Sequence, residues 1–346
     1  MNKYADELRK TAKAMVAPGK GILAMDESNG TCNKRLASVG AEQTEEKRRQ
    51  YRELIITTPE LGDSISGAIL YDETIRQSTA DGQLFREALQ QKGMIPGIKV
   101  DTGAKDLAGH PNEKVTEGLD GLRDRIAEYY QMGARFAKWR AVITIGDGIP
   151  SRACIEANAH ALARYAALCQ EGGLVPIVEP EVMMDGDHTI ERCYEVTSET
   201  LRTVFDQLAT QGVEFDQMIL KPNMVLPGKG CSQQASVDQV ADMTMRCLMN
   251  NVPAAVTGVA FLSGGQDEQS ASAHLNAMNV KYGDMIPWEV TFSYARAIQG
   301  PALDNWQGKQ SNVEKSQALL AHRAKCNSAA HKGEYSPEME KQPAMV

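Results

Sequence analysis

Lys221 closes a short apolar run, Gln217-Met218-Ile219-Leu220, and Pro222 and Asn223 follow at once, so a buried strand is predicted to stop on a lysine. Desolvation at such a place moves a lysine from its reference pKa of ~10.4 toward the neutral amine, a nucleophile suited to imine formation on a carbonyl substrate. Snorkelling to solvent, or pairing with a carboxylate, is the structural alternative for one lysine taken alone. Other apolar runs also end on charge: Asp26 and Glu27, Asp72, Lys99 and Asp101, Lys138 and Arg140, Glu179 and Glu181. Because strand side chains alternate faces, Lys138 with Arg140, and Glu179 with Glu181, each share a face about 7 Å apart along the strand. A second cation, Lys138, near the first would favour the free amine. Glu179 or Glu181 can move protons for carbinolamine formation and dehydration, and Asp26 can take a proton from a substrate hydroxyl. Spacing does not divide these roles between the two glutamates. For any single pair, a salt bridge between neighbouring strands remains open.

Two further segments suit an anion. Phe261-Leu262-Ser263-Gly264-Gly265-Gln266 offers a hydroxyl and two amides without side chains, and Ser293-Tyr294-Ala295-Arg296 brings a guanidinium able to give paired hydrogen bonds to a phosphate.

Positioning these groups requires many strand ends in one place. Eight apolar, β-rich runs recur: residues 21–27, 65–72, 95–101, 135–142, 174–182, 217–222, 254–263 and 289–294. Between them, 44–57, 118–132, 151–171, 188–211, 236–250 and 270–280 carry helical periodicity. Parallel strands covered on both faces need crossover helices and read as apolar runs, so the pattern predicts a single-domain α/β fold, a (β/α)₈ barrel over residues 1–332. Its catalytic groups would come from the C-terminal strand ends, and the loops after strands 7 and 8 would cradle phosphate. A doubly wound sheet would bring GxGxxG after the first strand, which is absent. Residues 333–346, polar and aperiodic, predict a flexible tail.

The 346 residues, 42% hydrophobic and 24% charged, are enough for a large core. A net charge of −8 disfavours nucleic acid or an anionic membrane as partner. The N-terminus lacks the apolar core of a signal peptide and no run approaches ~20 apolar residues, so a cytoplasmic address is expected. The seven cysteines lack CxxC spacing and the six histidines form no HExxH or HxH, which predicts free thiols and no metal site.

In order along residues 3 to 335, GKGILAMDES, GAILYDET, GIKVDTG, ARFAKWRAV, LVPIVEPEV, LKPNMVLPG, GVAFLSGGQ and TFSYARAIQ resemble the class I, Schiff-base-forming fructose-bisphosphate aldolases. The resemblance implies a barrel, assembled as a homotetramer in the cytoplasm, that reversibly cleaves fructose 1,6-bisphosphate to dihydroxyacetone phosphate and glyceraldehyde 3-phosphate without a cofactor, in glycolysis and gluconeogenesis. It would make Lys221 the imine-forming lysine and Glu179 the acid/base for the imine. Glu181, Lys138 and Asp26 would form the supporting charged set, with Asp26 acting on the C4 hydroxyl. Ser263, Gly264, Gly265 and Arg296 would hold the C1 phosphate, Ser293 would bind substrate, and Ser28, Thr31, Lys99 and Arg140 would serve the C6 end. A protonated imine supplies the electron sink that carbon–carbon cleavage needs.

Three positions depart from the common pattern of that family. Ala295 stands where many members have glycine, which is tolerated where φ is negative. Thr31 replaces a more usual serine and keeps the hydroxyl. The chain ends Pro343-Ala344-Met345-Val346, without the terminal tyrosine of many animal members, so slower or differently assisted enamine protonation is expected. Other ketose phosphates are the nearest alternative substrates. A glycosidase would have no use for Lys221, and a binding protein that had lost catalysis would be expected to lack Lys221 or Glu179.

Overall fold

The computed structural model describes residues 3–341. Among the described residues ten strands form: β1 Gly21–Ala24, β2 Ile65–Leu70, β3 Ile95–Lys99, β4 Gly103–Asp106, β5 Lys114–Glu117, β6 Phe136–Ile143, β7 Val175–Val182, β8 Ile219–Leu220, β9 Gly258–Phe261 and β10 Glu289–Tyr294. Eight of them close a parallel barrel in the order β1-β10-β9-β8-β7-β6-β3-β2. The eight predicted runs are these barrel strands. β4 and β5 make a separate antiparallel hairpin in the connection after β3, which the sequence pattern did not anticipate.

Strand alternation explains both the barrel's core and its chemistry. Ile22, Ala24, Ile69, Phe136, Val175, Ile177, Ile219 and Ala260 form one buried interior cluster, joined by Leu8, Ala12 and Met15 of the helix Ala5–Met15. Two residues further along the same faces stand Asp26, Lys138, Glu179 and Lys221, so the lumen is apolar in its lower layers and ionic above. Phe136 of β6 fills the lumen where β3 and, one strand further on, β2 carry glycine: a Cβ on Gly67 would lie 2.9 Å from its ring, and one on Gly97 would overlap it. The outward residues of the strands belong to the larger cluster between sheet and helices, including Leu23, Ala137, Trp139, Val178, Leu220, Phe261 and Phe292.

Four of the longer helices start on hydroxyl caps. Thr44, Ser151, Thr189 and Ser236 each accept a backbone N–H, and Ser236 completes a capping box with Gln239. The helix Val313–His331 packs on the helix Arg296–Trp306 and holds the segment expected to be a free tail. Tyr335 is buried and donates to Glu340 at 2.9 Å, while Arg323 makes a paired contact to the same carboxylate, with one arm at 2.6 Å. Glu340 directly, and Tyr335 through it, therefore tie this stretch to the helix Val313–His331. Only 342–346 of the expected tail, including the chain end discussed above, lie outside the described residues.

Candidate active site

A cavity of about 510 Å³ opens at the C-terminal ends of the barrel strands. Four buried charges occupy its floor: Lys138 and Glu179 within β6 and β7, and Asp26 and Lys221 just beyond β1 and β8. Lys138 Nζ lies 2.6 Å from Asp26 Oδ2 and 3.2 Å from Glu179 Oε2, and Lys221 Nζ lies 3.2 Å from Glu179 Oε1. Two ammonium groups thus alternate with two carboxylates, which offsets much of the desolvation that each would suffer alone. Burial pushes the Asp26 carboxyl up, but Lys138, supported by Lys221 and Lys99, outweighs it and holds Asp26 far below the usual carboxylate range. Glu179 is held low in the same way, its burial overcome by Lys138 and Lys221. Burial alone would push Lys138 down, yet Asp26 and Glu179 raise it well above the ordinary lysine value. Lys138 is a fixed cation.

Lys221 stands one residue beyond β8, whose ladder is only two residues long, and its backbone N–H donates to Val178 O at 2.8 Å. That bond ties it to the residue preceding Glu179 on β7. The predicted strand run 217–222 is otherwise not strand, since Phe215–Gln217 forms a 3₁₀ turn. The proline at 222 explains the early end, because its ring removes a ladder donor.

A second ring of charge surrounds the floor. Glu181 pairs with Arg140, and Lys99 Nζ lies 2.5 Å from Asp101 Oδ1. The β4–β5 hairpin steadies this side, with Thr116 Oγ1 donating to Arg140 O at 2.7 Å. Ser263, Gly264, Ser293 and Arg296 line the opposite side. Ser293 is 1% exposed and its hydroxyl has no partner in the protein, so it is available to a ligand. Gly264 and Gly265 have φ of +60° and +91°, a turn that side chains resist. Ala295, by contrast, has φ −108°, so the methyl expected to be tolerated there meets no backbone strain. Arg296 is exposed and forms no ion pair with any described residue.

The structure therefore brings Asp26, Thr31, Lys99, Lys138, Arg140, Glu179, Glu181, Lys221, Ser263, Gly264, Ser293 and Arg296 around one cavity. Two expected residues are not in its wall. Ser28 caps the helix Asn29–Ser38, accepting from Thr31 N at 3.4 Å, and Gly265 lies behind the turn beside Arg296. Sequence reasoning missed Lys34, Arg35 and Ser38, which line the cavity from that same helix. Their spacing from Thr31, three, four and seven residues, was the available signal. Glu27 anchors the helix by pairing with Arg35 and with buried Arg52, the latter at 2.6 Å. The expectation of free thiols holds for all seven cysteines. The described residues include one cluster with metal-ligand donors, His322, Cys326 and Glu340, none of which lines this cavity and with Glu340 already paired to Arg323.

A family profile described as fructose-bisphosphate aldolase class-I matches residues 7–345. A probable fructose-bisphosphate aldolase class 1 of Xanthomonas campestris is 59% identical over 331 residues, covering 95% of this chain and 98% of the relative. The chloroplastic fructose-bisphosphate aldolase 3 of Arabidopsis thaliana is 53% identical over 341 residues, covering 99% and 86%. Among solved structures, the fructose-bisphosphate aldolase of Plasmodium falciparum, crystallised with TRAP and a small-molecule inhibitor, superimposes with a TM-score of 0.95 at 46% identity, covering 97% of each chain.

Proposed function

The chain belongs to the class-I fructose-bisphosphate aldolase family, a glycolytic family of lyases, and from that premise we propose that it cleaves its ketose bisphosphate through an imine on Lys221. The observation that carries this reading is the 3.2 Å contact between Lys221 Nζ and Glu179 Oε1, both buried at the cavity floor. A proton passed along that contact leaves a neutral amine and a protonated carboxyl. The amine attacks the C2 carbonyl of fructose 1,6-bisphosphate. Glu179 then gives the proton to the carbinolamine hydroxyl, which leaves as water and generates the iminium.

Asp26, kept ionised by Lys138, accepts the C4 hydroxyl proton as the C3–C4 bond breaks and its electron pair moves into the iminium. Glyceraldehyde 3-phosphate departs and an enamine remains. Protonation at C3 and hydrolysis of the imine release dihydroxyacetone phosphate and restore Lys221. Lys138 supplies a constant positive charge, and Glu181 holds Arg140 in place. Ser263, Gly264, Gly265, Ser293 and Arg296 would take the C1 phosphate; Ser28, Thr31, Lys99 and Arg140, joined by Lys34 and Arg35, would serve the C6 phosphate. No step requires a metal.

Borohydride reduction with dihydroxyacetone phosphate, followed by peptide mass mapping, tests the chemistry. A substrate-dependent adduct on Lys221 is the expected result; a folded protein that gives no adduct, or one labelled on another lysine, overturns the mechanism. The same reading carries a homotetramer in the cytoplasm, without nucleic-acid or membrane partners. Light scattering on the purified protein and fractionation of the source cells check these two points. No helix among the described residues is long and apolar enough to cross a membrane.

A further inference from the structure

Lys229 is absent from the cavity wall, yet its ammonium reaches the phosphate end of the site. Its backbone is fixed by three hydrogen bonds between the loop after β8 and the loop after β7: Gly228 N to His188 O at 2.8 Å, Lys229 N to Met184 O at 2.9 Å and Gly230 N to Gly186 O at 2.7 Å. The two loops pack so closely that a Cβ on Gly228 would overlap the carbonyl oxygen of Gly186. From this clamped base the side chain extends toward the turn after β9. Lys229 Nζ lies 2.9 Å, and Arg296 Nη2 3.0 Å, from the point where a Cβ would stand on Gly265. Two cations therefore converge on a backbone position that carries no side chain.

Neither cation is firmly neutralised. Lys229 meets Asp185 at 3.4 Å, with the two side chains 45% and 62% exposed, a weak and exchangeable pair. Arg296 has no ion pair with any described residue. An ammonium, a guanidinium and the adjoining serine hydroxyl make a binding place for a phosphate dianion, and the lysine contributes a point charge where the arginine contributes a fork.

We propose that Lys229 is a substrate-binding residue of this enzyme, leaving Asp185 to share the C1 phosphate with Arg296. The proposal rests on the imine reading above, which places that phosphate at the turn Ser263-Gly264-Gly265. The dihydroxyacetone phosphate concentration giving half-maximal borohydride labelling of Lys221 is measured in wild type, Lys229→Met and Lys229→Arg. The methionine variant is expected to need about fivefold more ligand or higher, the arginine variant to recover most of the difference, and both to reach full labelling at saturation, which reports an intact fold. Inorganic phosphate should protect wild type at lower concentration than Lys229→Met. The loss in kcat/KM should be shared by fructose 1-phosphate and fructose 1,6-bisphosphate. Equal half-maximal concentrations in wild type and Lys229→Met overturn the proposal while leaving the imine reading intact. A loss confined to the bisphosphate assigns Lys229 to the other phosphate and overturns it too. Wild type that is never labelled removes the imine reading on which it depends.

Discussion

Glu179 faces two ammonium groups with one carboxylate, and in the mechanism proposed above this asymmetry would give it two successive roles. While Lys221 is charged, both cations hold the carboxyl ionised. Were Lys221 to become the proposed neutral carbinolamine nitrogen, one of those cations would be gone and the proton affinity of Glu179 would rise, so it would retain the proton until the leaving hydroxyl takes it. Replacing Lys221 by arginine should be as damaging as replacing it by methionine, because a guanidinium stays protonated and forms no imine. We expect each variant to lose kcat by about a thousandfold or more; steady-state assays on Lys221→Arg and Lys221→Met decide it, and near-normal turnover in either sinks the mechanism. The charged floor was legible in the sequence because charge at the end of an apolar run is expensive and therefore conspicuous. Lys34, Arg35 and Lys229 were not, because polar residues on a helix face or in a turn are ordinary until the fold shows where they point.

At the scale of the elements, the ionic floor depends on the apolar layers beneath it. Phe136 and Lys138 share one face of β6, so the ring that fills the lumen also sets the height of the fixed cation. The glycines of β2 and β3 make room for that ring. Gly97→Ala puts a methyl into the space the ring occupies and should destabilise the protein by about 2 kcal/mol, with partial recovery in the double variant Gly97→Ala/Phe136→Leu. Denaturant midpoints check this; an unchanged midpoint for the single variant would mean that the strands yield without strain. Eight strands were readable from their composition, since doubly covered strands are apolar throughout. The β4–β5 hairpin was not, because Gly103–Asp106 and Lys114–Glu117 are short, polar and largely solvent-facing. The brevity of β8 was equally hidden, as Gln217 and Met218 are buried without joining the ladder.

Taken whole, the molecule should lose stability with acid in two stages. Burial pushes His274 down to about 4, against a neutral Gln266 Oε1 at 2.6 Å and with only Asp267 opposing. A depressed folded-state value means that stability is fully present above the unfolded pKa near 6.5 and is lost as pH falls through the folded one, here a loss of up to about 3 kcal/mol between roughly pH 6.5 and 4. The second stage begins below roughly pH 4, where Asp26, Glu27 and Glu179, all held low, must protonate. Lys138 is raised, so its contribution is intact across this range and fades only at strongly alkaline pH. Denaturation at pH 7 and pH 4.5 should show a smaller drop for His274→Gln than for wild type, and equal drops would remove His274 from the account. Anchoring of residues 333–341 was illegible for a related reason: a polar segment reads as solvated unless a buried arginine such as Arg323 awaits it. The helix Ala5–Met15, which seals the lower end of the lumen with Leu8, Ala12 and Met15, bears on traffic. A vessel stoppered at one end has a single mouth, so both products queue for the same exit. Under the proposed imine mechanism, the half bonded to Lys221 at the bottom could not overtake the other; the aldehyde would leave first, and the ketone phosphate would be the product that competes with incoming substrate.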